Sequence, residues 1–233
     1  MLTLKDVNVS YGKLHILWDI SLKVGQESVG LFGPNGAGKT TLINAILGLV
    51  RPSSGEILFA GENLLALQTH QRIRSGIAVV PQERELFPMM TVLENLKSGA
   101  LHIPRAKHKA KEQLETVVQL FPVLKERFKQ PAGTMSGGQQ RMLAIGRALM
   151  ADPQLLILDE PSGGLQPSLV SELFEKLNEI KGRVAILIAE QNVRQCLKAI
   201  DRGYVIENGR VVMENNVEHL TSNDHIRKSY LGI

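Results

Sequence analysis

The chain has 233 residues, 43% hydrophobic and 21% charged, enough to bury one large core or two unequal lobes and too mixed for a coiled-coil rod or a disordered tail. Its 27 basic and 23 acidic side chains leave a net charge of +4, far below the concentrated basicity of a dedicated nucleic-acid binder. The longest apolar run, Val184 to Ala189, falls well short of the roughly twenty residues that a membrane-crossing helix needs.

The N-terminus carries no basic flank leading into an apolar signal region. Cys196, the only cysteine, excludes an intrachain disulfide and argues against a thiolate metal cage. A reducing cytoplasm is the compartment expected.

In chain order, Leu2 and Leu4, then Val7 and Val9, alternate with polar residues around a phase slip near Asp6, which predicts a half-buried strand with a bulge. Ser28 to Phe32 is a predicted strand. It leads through a glycine-rich loop into a predicted helix over Lys39 to Leu47, where Leu42, Ile43, Ile46 and Leu47 share a face and Gly48 is placed to cap the end. After a turn at residues 51–55, strands at Glu56 to Phe59 and Ile77 to Val80 flank a polar helical piece.

Residues 85–150 show no strand pattern and mostly helical periodicity, including Lys107 to Phe121 and Gln139 to Met150. They read as a helical subdomain inserted into a nucleotide-binding α/β core made of residues 1–84 and 151–233. Strands resume at Leu155 to Leu158 and Val184 to Ala189, nearly all apolar, as expected of central strands covered on both faces. Between them Pro167 starts a helix with the stripe Leu169, Val170, Leu173, Leu177 and Ile180. Tyr204 to Glu207 and Arg210 to Glu214 flank Asn208-Gly209, a hairpin signal, and the last stretch, 214–233, reads as a surface helix.

Gly33-Pro34-Asn35-Gly36-Ala37-Gly38-Lys39-Thr40 matches the pattern G-x-x-x-x-G-K-[ST] between a predicted strand and a predicted helix. The glycines let successive backbone N–H groups converge on phosphate oxygens. Lys39 adds a positive charge near the β and γ phosphates, and the Thr40 hydroxyl can ligate Mg²⁺. The helix start, which also carries Thr41, turns its positive end toward the same anion. The glycine spacing is not G-x-G-x-x-G, so a dinucleotide fold does not fit and a nucleoside triphosphate is the expected ligand.

The run Leu155 to Leu158 ends in Asp159 and Glu160. A buried strand would deliver these acids to the carboxyl edge of a parallel sheet, where ligands bind. Asp159 then reads as the Mg²⁺ holder and Glu160 as the residue that orients or deprotonates the attacking water. Ser136-Gly137-Gly138-Gln139 offers a hydroxyl, flexible backbone N–H groups and a helix N-terminus to a second anion; by itself it reads better as an ordinary N-cap with a glycine turn.

With these three motifs in this order, the chain resembles an ATP-binding subunit of an ABC transporter from end to end. The family signature Leu-Ser-Gly-Gly-Gln stands here as Met135-Ser136-Gly137-Gly138-Gln139. The resemblance implies a P-loop NTPase core, with a mixed, mainly parallel sheet and an N-terminal antiparallel β-region, plus the inserted helical subdomain. It implies ATP and Mg²⁺ as ligands and hydrolysis to ADP and phosphate. It also implies a head-to-tail dimer in which the signature of one subunit closes over ATP held by the other.

The implied partners are transmembrane permease subunits and, indirectly, a solute-binding protein, with no nucleic acid, at the cytoplasmic face of the membrane. Tyr11 matches the aromatic residue that stacks on adenine, and Gln82 the glutamine that senses Mg²⁺ and the nucleophilic water. Gln191 stands where many relatives have a switch histidine; it can hydrogen-bond the γ-phosphate but cannot carry a proton. Gln166 stands where many have aspartate.

Glu190-Gln191-Asn192, Phe87-Pro88 with Thr91-Val92 and Glu94-Asn95-Leu96, and Tyr230-Leu231-Gly232 are similar to the ATPases of branched-chain amino acid importers. Pro81-Gln82 and Gln166-Pro167-Ser168 lean toward the related urea importers. A DNA-repair or chromosome-structure ATPase would place a long coiled coil between phosphate loop and signature, and the span from Lys39 to Ser136 has room only for a small subdomain. A GTPase-type switch is disfavoured by the lack of an N-K-x-D sequence. Lys97, Arg105, Lys107, Lys109 and Lys111 read as a solvated helix start, and the histidine spacing predicts no zinc site.

Overall fold

A computed structural model describes residues 1–83 and 85–223. Its elements in order are β1 (Leu2–Tyr11), β2 (Leu14–Val24), β3 (Ser28–Phe32), α1 (Lys39–Leu47), β4 (Ser54–Phe59), β5 (Glu62–Asn63), α2 (Thr69–Ser75), β6 (Ile77–Val80), α3 (Val92–Ala100), α4 (Pro104–Leu120), α5 (Pro122–Glu126), α6 (Gly137–Leu149), β7 (Leu155–Asp159), α7 (Pro167–Glu179), β8 (Ala185–Glu190), α8 (Val193–Cys196), β9 (Arg202–Glu207), β10 (Arg210–Asn216) and α9 (Val217–Ser222). Two sheets result. One has four antiparallel strands in the order β2-β1-β4-β5; the other has six in the order β10-β9-β3-β8-β7-β6 and is parallel except for β10.

The predicted phase slip in β1 has a local cause. Asp6 sits at φ 48°, the pairing register with β2 shifts between Leu4 and Val7, and the Asp6 N–H donates to Ser21 Oγ at 2.9 Å. The bulge lets Leu2, Leu4, Val7 and Val9 all face the core. β2 was not predicted. It carries a matching irregularity at Asp19, φ 50°, which breaks the alternation between buried Leu17 and buried Ile20.

The near-continuous apolar strands follow from a core on each side of the parallel sheet. Leu155 and Ile157 of β7 pack with α1 and the antiparallel sheet, whereas Leu156 and Leu158 pack with Leu96, Phe121 and Leu143 from the helical segment. Residues 85–150 thus contain α3 to α6, one isolated bridge, Thr91 to Pro131, and an apolar face shared with the sheet.

Helix α1 has the predicted bounds, and Gly48, at φ 78°, closes it by donating its N–H to Ala45 and Asn44 carbonyls. The predicted hairpin is β9 to β10, with Asn208 at φ 50° and Gly209 at φ 74°, the pair of positive values that a tight type I′ turn needs. Pro167 is the first residue of α7, and Phe174 joins its buried stripe. Helix α4 begins at Pro104, ahead of the predicted start; its Lys107 and Lys111 are exposed, while Lys109 pairs with Asp152 at 3.1 Å. Cys196 is fully buried in α8, and burial pushes its thiol well above the ordinary range.

Of the predicted C-terminal helix, residues 214–223 are described, and they depart from it at the start: β10 continues to Asn216, paired with β9, so the helix α9 covers only Val217–Ser222. Residues 224–233, including Tyr230-Leu231-Gly232, lie outside the described residues. Among the described residues no helix is long and apolar enough to cross a membrane.

Candidate functional site

Parallel strands present their carboxyl ends at one edge, and four neighbours in the sheet order β3-β8-β7-β6 each end in a motif singled out above. Gly33 follows β3, Gln82 comes two residues after β6, Asp159 closes β7 with Glu160 next, and Glu190 closes β8 with Gln191 next. The β8-to-β9 connection steps over β3. The chain leaves β3 toward β6 at the far edge of the sheet, whereas it leaves the neighbouring strand β9 the other way, toward β10, so the phosphate loop opens beside a pair of connections that diverge, the place where a doubly wound sheet leaves a crevice.

The crevice is a cavity of about 410 Å³ lined by Ile16, Asn35, Gly36, Gly38, Lys39, Thr40, Thr41, Gln82 and Glu160. The loop that frames it is held from within and from outside: Ala37 N–H donates to Pro34 O at 3.1 Å inside the loop, and Gly209 N–H, from the hairpin turn, donates to Ala37 O at 3.1 Å. Two glycines are required by protein packing. A Cβ on Gly33 would stand 2.3 Å from the Ile206 carbonyl oxygen, and one on Gly38, at φ 108°, would stand 2.5 Å from Leu17 Cδ2. Gly38 is also the N-cap of α1, so the unpaired N–H groups of that helix's first turn belong to the loop.

Lys39 is 5% exposed. Its Nζ donates to Gly33 O at 2.8 Å and Pro34 O at 3.3 Å, and it lies 3.5 Å from Glu160 Oε1. The other oxygen, Glu160 Oε2, accepts from Gln82 Nε2 at 3.1 Å. One carboxylate thus bridges the loop lysine and the glutamine at the end of β6. That arrangement can place a base and a cation on opposite sides of a bound phosphate.

Asp159 is buried, and burial pushes its carboxyl above its ordinary pKa, with Glu160 adding to the rise; the Thr40 hydroxyl, Lys39 and Arg141 offset this only in part. Its Oδ1 is buried without a hydrogen-bond partner. An orphaned carboxylate oxygen close to the Thr40 hydroxyl, with the Gln82 amide in the neighbouring cavity wall, is an oxygen donor set that fits Mg²⁺.

Because the folded-state pKa is raised, the ionised Asp159 costs stability above that pKa, and the cost vanishes as the pH falls below the unfolded value. Asp159→Asn is therefore expected to raise Tm at neutral pH without divalent cations, by about 2–4 °C on the scale of ~1 kcal/mol in a chain this size. The gain should disappear in acid. A lower Tm in thermal melts would mean that the attraction of Lys39 and Arg141 outweighs burial.

The signature residues and Tyr11 lie apart from this cluster. Ser136 is exposed at the start of α6, where its Oγ accepts from Gln139 N–H at 3.4 Å and Gln139 Oε1 accepts from Ser136 N–H at 3.1 Å, a capping box. Gly138 is buried against Leu169. None of Ser136, Gly137, Gly138 and Gln139 is among the residues lining the cavity around Lys39. Tyr11 ends β1, 46% exposed, and it too is not among the lining residues; Ile16 of β2 forms the wall on that side. Gln191 is exposed and lines a second cavity of about 230 Å³ shared with Glu160, and Gln166 stands at the N-cap position of α7 without a side-chain capping bond.

Two buried residues were given no role from the sequence. Arg141 in α6 donates to Pro81 O at 3.1 Å and Gln82 O at 2.8 Å, tying the signature helix to the Gln82 segment. Glu190 accepts from the backbone of two loops. Glu190 was read only as part of Glu190-Gln191-Asn192, its signal being a lone charge in an apolar strand, whereas Arg141, in a helix that also carries Gln139, Gln140 and Arg147, gives no signal of its burial in the sequence.

Residues 17–163 match the ABC transporter family. The chain is 45% identical, over all of both sequences, to the high-affinity branched-chain amino acid transport ATP-binding protein BraG of Pseudomonas aeruginosa. It is 34% identical to the probable branched-chain amino acid transport ATP-binding protein LivF of Archaeoglobus fulgidus, over 100% of this chain and 99% of that one. Among solved structures, an ATP-binding cassette of an ABC transporter in its ADP conformation superposes with a TM-score of 0.86 at 27% identity, covering 100% of this chain and 99% of the other.

Proposed function

The chain belongs to the ABC transporter ATP-binding family, a family of transport ATPases, and from that premise we propose that it is the ATP-hydrolysing subunit of an importer of branched-chain amino acids. The observation that carries the reading is the single carboxylate of Glu160 held between Lys39 and Gln82 at the mouth of the phosphate loop. Lys39 and the loop N–H groups from Gly36 to Thr41 grip the β and γ phosphates, and Ile16 and Tyr11 flank the base. Glu160 takes the proton of the attacking water, which Gln82 and Gln191 help to orient. Asp159, Thr40 and Gln82 would hold Mg²⁺, which supplies charge neutralisation on the phosphate oxygens when bound.

The exposed Ser136 helix, apart from its own chain's cavity, fits a lid lent to a second subunit across a head-to-tail dimer. Residues 85–150 form the helical subdomain of this reading, and residues 1–84 with 151–233 the nucleotide-binding core. A larger, mainly apolar groove of about 670 Å³, walled by Ile73, Phe87, Met90, Leu101 and Ile103 with Arg147 at its side, supports docking of the permease on the helical face. The protein then sits at the cytoplasmic face of the membrane without entering it.

The full-length likeness to BraG and LivF supports the solute class. Reconstitution with the permease and solute-binding partners tests it: leucine, isoleucine and valine are expected to stimulate ATP hydrolysis by several-fold. Stimulation by urea or short amides in their place would transfer the chain to the related importers.

A further inference from the structure

Glu190 is a carboxylate with no part in the roles assigned above, and it is 2% exposed at the end of β8. Its two oxygens serve two different loops. Oε1 accepts from Ser162 N–H at 2.8 Å, and Oε2 accepts from Asn192 N–H at 3.3 Å. Ser162 lies two residues past Glu160, and Asn192 is the neighbour of Gln191; Glu160, Ser162, Gly163, Glu190, Gln191 and Asn192 line one cavity.

Glu160 itself stands at φ 46°, a conformation that a non-glycine residue keeps only when its surroundings hold it. The Glu160 N–H donates to Ala189 O at 2.8 Å, and the Ser162 tie to Glu190 follows two residues later. Both ends of the turn that aims Glu160 are therefore fastened to adjacent residues of β8. Burial raises the Glu190 carboxyl above its ordinary pKa, and the donors from Ser162 and Asn192 offset part of that cost. An ionised carboxylate offers acceptors on both oxygens, whereas a glutamine in its place turns an NH₂ group toward one of the two backbone donors.

We propose that Glu190 is a positioning residue for hydrolysis, a clamp whose carboxylate ties the loop carrying Glu160 to the loop carrying Gln191 and so keeps the two side chains in mutual register. The inference rests on the reading of Glu160 as the residue that activates water. It assigns Glu190 an effect on the chemical step and none on nucleotide affinity, because its partners, the Ser162 and Asn192 backbone and the Ser162 hydroxyl, lie beyond the phosphate loop.

The test compares Glu190→Gln and Glu190→Ala with the parent and with Glu160→Gln, by steady-state ATPase kinetics and by equilibrium binding of a fluorescent ATP analogue. Glu190→Gln is expected to lower kcat about tenfold or more and to leave KM and analogue affinity within about threefold, as loosened placement of a reacting group does. Glu190→Ala, which loses both ties, should fall further. A Glu190→Gln enzyme with kcat within about twofold of the parent overturns the proposal, as does a parallel loss of kcat and nucleotide affinity or failure of that near-isosteric variant to fold, either of which makes Glu190 a structural residue alone. Glu160→Gln separates the two layers: undiminished turnover there removes the water-activating role and the clamp with it. An inactive Glu160→Gln beside a fully active Glu190→Gln removes only the clamp.

Discussion

Glu160→Gln is expected to lower ATP turnover by about 10²–10⁴-fold, the range assigned to a positioned general base, while ATP binding survives or tightens. The amide keeps the size of the side chain and an oxygen for Gln82 Nε2, now 3.1 Å away, so the cavity keeps its shape. It loses the proton-accepting charge. It also loses the ion pair that holds Lys39 Nζ 3.5 Å from Glu160 Oε1, which competes with an incoming phosphate for the same ammonium group, and it removes a negative charge facing a negative ligand. The two effects have opposite signs on binding and on chemistry, so measuring both separates them. Undiminished phosphate release would refute the role of Glu160, and a large loss of ATP affinity would make that role structural.

Equal amounts of a Lys39→Ala chain and a Ser136→Glu chain, each inactive alone, are expected to regain about a quarter of parental activity when mixed. In a head-to-tail dimer each site takes its phosphate loop from one subunit and its lid from the other. A hybrid therefore has one site with both lesions and one with neither, and random pairing makes about half the dimers hybrids. The geometry motivates the design: Lys39 lies inside the cavity, buried between the loop carbonyls and Glu160, whereas Ser136 is exposed at the start of α6 and apart from that cavity in its own chain. The Ser136→Glu carboxylate would face a triphosphate held by another subunit, with little effect on its own loop. Hybrids isolated through two different tags that stay as inactive as either parent would rule out independently working shared sites.

Much of the fold was legible because its strongest signals are local. The bounds of β3 and α1 follow from an apolar run, a glycine loop and a 3.6-residue stripe. The Asn208-Gly209 turn was readable because two successive positive φ values select those residue types. β2 was missed for an equally physical reason: its alternation is interrupted at Asp19, where the backbone crosses into the left-handed region to match the bulge at Asp6, and the register of a partner strand is not visible in either segment alone. The glycines show a second limit. The sequence reading assigned them to phosphate approach, while Gly33 and Gly38 also answer to Ile206 and Leu17, residues distant in the chain.

What the sequence determined by itself is the chemistry that fits within a few consecutive residues: a loop of N–H groups ending in a lysine and a hydroxyl, two acids delivered by a buried strand, and a capped glycine helix. What only the tertiary structure decided is how these pieces meet. Strand order put four carboxyl ends along one edge, set Glu160 between Lys39 and Gln82, left Ser136 outside its own chain's cavity, and gave Glu190 two loops to hold. The reason is that covalent neighbours fix local backbone and side-chain chemistry, whereas distances between motifs separated by tens of residues depend on pairing and packing that no single segment encodes.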